Sequence, residues 1–234
     1  DLNLLKMWRQ TLYNDGIRVR IGRWKVKGSP IAVLVDFQSM LPQKDEILKS
    51  LWETYRVDSI SGQWDYIEPV LFGYAAGKVI ESYVDNFCTS TDKLVAHFHE
   101  WMTSSGGLYL RKHSPYVASC FTTHATVMGR CLAGNGFPLY GDLERFNADD
   151  KDRQFNVVAK HSLEKTAASF HDCFCTVSDI TGKECRYMLG RDVNVVTPNG
   201  FEDDFVWKGE EFEAKRKEEP NCRAEVDYDY VTAL

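Results

Sequence analysis

Nowhere in the 234 residues is there a run of about 18 apolar residues, the length a membrane-crossing helix needs. An excess of basic charge is also missing. The net charge of -6 argues against a nucleic-acid backbone as the main partner, because such partners select clustered Lys and Arg. Paired CxxC knuckles are absent, and the seven cysteines are odd in number and scattered from Cys88 to Cys222. Neither a disulfide framework nor a zinc ribbon is indicated, so a reducing cytoplasm fits best. Internal repeats, low-complexity tracts and a charged-then-apolar leader are lacking as well. The chain opens on Asp1 rather than Met and reads as an internal piece of something longer. What is present is 44% apolar and 26% charged residues, the balance of a water-soluble globular protein with enough chain for one large domain.

Two β-rich runs, IRVRIGRW and IAVLVDF, flank KVKGSP, whose Gly28 and Pro30 supply turn chemistry. Lys44 to Val57 and Ile67 to Phe87 carry apolar residues at helical spacing. The second of these has a stripe of small residues, Gly73, Ala75, Ala76 and Gly77, that allows close packing. Strand and helix then alternate. KLVAHF, YVASCFTTH, CFCTV and VNVVTPNG read as strands; EWMTSSGGLYLRK, Asp149 to Phe170 and SDITGKECRYML read as helices. This spacing predicts an α/β fold, a mostly parallel Rossmann-like sheet with helices on both faces. After Gly200 the composition becomes strongly charged, so residues 1–200 read as the folded lobe and 201–234 as linker and tail.

In open parallel sheets ligands collect at the carboxyl ends of the strands. His97 to Trp101, Thr122 to Arg130, Ser178, and Thr197 to Gly200 all sit at such ends. HFHEW lacks the second histidine four residues on that a zinc-binding helix would need, since Thr103 stands there. His97 and His99 share one strand face and read either as satisfied core histidines or as supports for Glu100, which opens the next helix. His124 follows a strand end, and Arg130 comes six residues later, beyond a small loop at Gly129. A neutral imidazole can hydrogen-bond sugar hydroxyls there, and a guanidinium can hold phosphate. Ser178 reads first as a helix N-cap, Cys173 to Cys175 as core strand rather than a redox site, and TPNG as a turn whose Asn199 could also reach a ligand.

AHFHEW, FTTHAT, the GR that follows, TVSDIT and VVTPNG, in that order and at these separations, resemble the glycogen synthases of animals and fungi. The likeness extends from GRW at Gly22 to Trp24, through LW at Leu51 and VLFGY at Val70, to Gly200. The resemblance implies the N-terminal lobe of a GT-B fold, in which two Rossmann-like lobes enclose the active site. It implies transfer of glucose from a sugar nucleotide, UDP-glucose or ADP-glucose, to the non-reducing end of an α-1,4-glucan such as glycogen. Configuration is retained, and neither a metal nor another cofactor is needed. By the same resemblance Glu100 and His124 are the catalytic positions, and His124, Arg130 and Asn199 bind the donor. A homo-oligomer stays open. Another GT-B glucosyltransferase, starch-synthase-like or sucrose-related, and a non-catalytic glucan-binding lobe are the other readings. The family's first strand and glycine-rich loop precede anything present here, and its second lobe is absent, so this stretch alone is expected not to turn over. Just past TPNG, where animal members help bind glucose 6-phosphate, Glu210 and Glu211 stand here.

Overall fold

The phenylalanines in the middle of the strands organise the sheet. In the computed structural model, which describes residues 2–200 and Ala214, four strands pair in chain order: β3 (Val95–His99), β4 (Ala118–Thr123), β5 (Cys173–Thr176) and β6 (Val195–Val196). Each pairing is parallel, and the register sets Phe98 beside Phe121 and Phe121 beside Phe174. All three rings are buried, and those of Phe121 and Phe174 stack at 5.6 Å. Because side chains alternate across a strand, the neighbouring residues fall on the other face. There Val95, His97 and His99 are exposed, and Cys120 and Cys173 are half-buried. The parallel sheet flanked by helices that the sequence predicts is what is found.

The crossovers are α4 (Trp101–His113) between β3 and β4, then α5 (Val127–Gly134), α6 (Ala148–Gln154) and α7 (Val158–Phe170) between β4 and β5, and α8 (Asp179–Glu184) before β6. A π-helical turn, Cys185–Leu189, extends α8. Leu110, Met128, Leu132, Ala167 and Met188 from these segments join the phenylalanines in one buried cluster. Before the sheet come α1 (Leu2–Asn14), β1 (Arg18–Arg23), β2 (Ile31–Asp36), α2 (Lys44–Tyr55) and α3 (Trp64–Phe87). β1 and β2 pair only with each other. The small-residue stripe of α3 is used where it meets α4. A side chain on Gly73 would come within 2.3 Å of Ser105 Oγ, and one on Gly106 within 2.4 Å of the Gly73 carbonyl oxygen, so the two backbones touch.

Two sequence expectations are corrected, and one helix is added. Asp149 to Phe170 is two helices, because Asn156 adopts φ +56°, a left-handed conformation that asparagine tolerates, and Val157 N–H turns back to the Asp152 carbonyl at 2.8 Å. Gly129 and Arg130 lie inside α5 rather than beyond a loop. α1, which the sequence reading passed over, forms because Trp8 and Leu12 recur one turn apart and are both buried. By its internal contacts the chain divides into one unit running to Arg20 and from Val35 to Pro198, and a second holding Ile21–Leu34 with Asn199 and Gly200. The linker and tail expected for 201–234, including Glu210 and Glu211, lie outside the described residues.

Candidate functional site at the sheet's carboxyl edge

The first unit brings five of the singled-out side chains, His97, His99, Glu100, His124 and Arg130, together where β3 and β4 end. Glu100 is the junction between β3 and α4, and its backbone is unusual: φ is +63° and ψ 161°, a region adopted almost only by glycine and costing about 1–3 kcal/mol for other residues. Its amide donates to the Thr122 carbonyl at 2.8 Å, and its own carbonyl accepts from Thr103 N–H at 3.2 Å. The strained turn swings the carboxylate over the end of β4. There Oε1 accepts the His124 backbone N–H at 3.0 Å and a guanidinium N–H of Arg130 at 3.4 Å. The Glu100 side chain is 14% exposed and that of Arg130 63%, so the carboxylate is a fixed anchor and the arginine remains open to a ligand.

A chain of imidazoles completes the edge. His99 Nδ1 and His124 Nε2 share a hydrogen bond of 3.1 Å, one ring donating and the other accepting. The His97 and His99 rings lie 4.1 Å apart, and His97 Nε2 is 2.8 Å from Thr122 Oγ1. Burial pulls the His99 imidazole below its ordinary pKa, and the neighbouring His97 and His124 pull it further. His97 and His99 are therefore not core histidines; they are exposed members of the edge. Trp101, next to Glu100, stacks on Tyr66 with ring centroids 5.9 Å apart.

Two buried carboxylates missed by sequence reasoning hold the turn that leads from β4 into α5. Glu164 of α7 accepts from Thr123 Oγ1 and from Val127 N–H, both at 2.8 Å. Glu184 of α8 accepts from Thr126 Oγ1 at 2.9 Å, from Thr126 N–H at 3.3 Å and from the Tyr140 hydroxyl at 2.8 Å. Thr126 caps α5 by accepting Gly129 N–H at 2.8 Å. Gly129 is required there, since a side chain would come within 2.1 Å of Glu184 Oε2. Burial pushes the Glu164 carboxyl up to about 8. Within their own helices both glutamates look like solvent-facing charge. The available signal was Thr126, an N-cap residue that marks where α5 begins.

Ser178 is the N-cap expected of it, accepting Thr181 N–H at 3.2 Å. Asn199 is exposed and belongs to the second unit. Among the described residues two groupings have metal-ligand spacing, Cys120 with Cys173 and Cys175, and Asp149 with Asp152 and His161. The second is internally occupied. Asp152 meets His161 Nδ1 at 2.8 Å, Nε2 of the same ring meets the Met188 carbonyl at 2.9 Å, and Lys165 holds Asp149 at 2.9 Å.

The fold and this edge define a Rossmann-like α/β arrangement with polar side chains gathered at its strand ends. A glycogen synthase family profile matches residues 3–217. A glycogen [starch] synthase of Dictyostelium discoideum is 34% identical over 81% of this chain and 21% of its own length. The Caenorhabditis elegans glycogen [starch] synthase is 32% identical over 80% of the chain and 28% of itself, and the liver glycogen [starch] synthase of Rattus norvegicus 31% over 80% and 26%. The chain belongs to the glycogen synthase family. It spans only about a fifth to under a third of the length of these relatives.

Proposed function

We propose that the whole protein transfers glucose from a sugar nucleotide, UDP-glucose foremost, to the non-reducing end of an α-1,4-glucan with retention of configuration. It does so in the cytoplasm, and this chain supplies most of its first lobe. Residues 1–200 belong to that lobe, and 201–234 are a linker toward the second lobe and a tail. The observation that carries this reading is the edge at which Glu100 anchors both the His124 backbone and Arg130. Such a transfer builds positive charge at the anomeric carbon and negative charge on the departing phosphate, so it needs preset hydrogen bonds on the sugar and a cation at the phosphate. In this reading His124 meets the donor glucose and Arg130 the phosphates. Asn199 is a further donor contact. Glu100 is more a positioning group than a reacting one, because its carboxylate is already engaged.

In the whole protein, His124→Ala is expected chiefly to lower kcat, whereas Arg130→Ala weakens use of the sugar nucleotide as well. A lost charge-assisted phosphate contact costs about 1.5–3 kcal/mol, roughly one to two orders of magnitude in kcat/KM. Both variants must first melt as the parent does. A folded variant that elongates glucan at the parental rate removes the role given to its residue. If the unmutated protein binds glucan yet releases no nucleotide from UDP-glucose or ADP-glucose, a non-catalytic glucan-binding lobe replaces this reading.

A further inference from the structure

Three cysteines that the proposed reaction does not use meet on the more open face of the sheet. Cys120 of β4 is the register partner of Cys173 in β5, and Cys175, two residues further on, returns to the same side of the strand. The Cys175 sulfur lies 3.6 Å from that of Cys120 and 3.5 Å from that of Cys173, and all three sulfurs are within 4.8 Å of one another. None of them is in a disulfide.

We propose that Cys120, Cys173 and Cys175 form a tri-thiolate site for a soft, thiophilic cation such as zinc or copper(I), with Cys120 beside His97 in the strand register but using none of the side chains given to the sugar nucleotide. Spacing is the first support. Thiolates bound about 2.3 Å from one ion stand roughly 3.7–4.0 Å apart in tetrahedral or trigonal geometry, close to what two of these pairs already show. Rigidity is the second, because the ligands sit on two hydrogen-bonded strands whose register fixes them before any ion arrives, so little ordering entropy is lost on binding. Donor type is the third. An all-sulfur set favours soft ions over magnesium or calcium. Access is the fourth, since Cys120 and Cys173 are only half-buried whereas Cys175 forms the floor. Burial pushes the Cys120 thiol up to about 12 and raises that of Cys175. Each thiol releases its proton to solvent as its sulfur–metal bond forms, and no oxidant or reductant enters. Three sulfurs satisfy copper(I) as a trigonal set and leave zinc one position for water.

The test uses the whole protein, reduced and stripped of metal, titrated with cadmium(II) as the zinc surrogate and separately with copper(I). Ultraviolet thiolate-to-metal absorption should saturate at one ion per chain. Cys120→Ser and Cys173→Ser, each alone, should weaken binding by more than the roughly 10–100-fold that loss of an outer-shell partner costs. Cys88→Ser, a lone half-buried thiol, should leave it unchanged. Zinc should also raise the melting temperature of the parent and not of the two variants. Absence of saturable absorption in the folded parent, or parental binding by Cys120→Ser and Cys173→Ser, overturns the site and leaves the cysteines as packing. If both variants fail to fold, native mass spectrometry of the parent with zinc decides: one retained ion supports the site, and none overturns it. Glucose transfer by the folded variants should match the parent, so this result and the fate of the proposed reaction are read independently.

Discussion

At the scale of single residues, Glu100 has two jobs. Its Oε1 fixes the backbone of His124 and also faces Arg130. Glutamine keeps the shape and one acceptor but removes the charge. A hydrogen bond to a charged group contributes about 1.5–3 kcal/mol and a neutral one about 0.5–1.5, so Glu100→Gln should lower stability by about 1 kcal/mol. The Arg130 pair adds little to that loss, because an exposed ion pair is screened. Released from its anchor, Arg130 should grip the donor less well. Glu100→Gln is therefore expected to raise KM for the sugar nucleotide more than it lowers kcat, and a parental KM in the folded variant would sink this assignment. The positions of Glu100 and His124 at the edge were legible because each stands just after a strand, whereas Arg130 reaches it from α5. The imidazole chain from His97 to His124 was not legible, because strand alternation gives the face of His97 and His99 but not whether anything covers it.

At the scale of elements, the contact between α3 and α4 rests on the absence of side chains. A Cβ on Gly106 would sit 2.4 Å from the Gly73 carbonyl oxygen and 2.8 Å from a Phe98 ring carbon, and backbone cannot swing aside. Gly106→Ala should destabilise by about 1–3 kcal/mol, the usual cost of overpacking. Gly134→Ala, where nothing lies within 4 Å, is the control and should be neutral or stabilising by roughly 0.5–1 kcal/mol. Equal midpoints for the two in chemical denaturation would disprove the close crossing. The small-residue stripe announced this contact in the sequence, although not its partner. The break at Asn156 stayed hidden because helical periodicity runs through QFNVV without glycine or proline. Asparagine in a left-handed turn was the only cue.

The whole molecule should carry the mark of Glu164 in its pH dependence. The carboxyl titrates near 4.5 in the unfolded chain and is raised to about 8 by burial in the folded one. Between those values unfolding releases a proton, so this group's contribution to stability falls as pH rises from about 4.5 to about 8 and is level beyond. His171 acts oppositely: burial lowers it from 6.5 to about 4, so its contribution is lost as pH drops through that window. Glu164→Gln removes only the first effect. The stability difference, variant minus parent, should grow steadily from pH 4.5 to 8 in denaturant titrations, and a flat difference would contradict it. The parallel pairing follows from the alternation of strands and crossovers, whereas the buried glutamates needed the third dimension, since only packing shows that they face inward. The backbone angle at Glu100 has an evolutionary corollary. A glutamate held where glycine would rest more easily is kept only while its carboxylate is in use. A copy of this chain released from its reaction should therefore drift to glycine at position 100 early, a trend that sequences of inactive copies would display or refute.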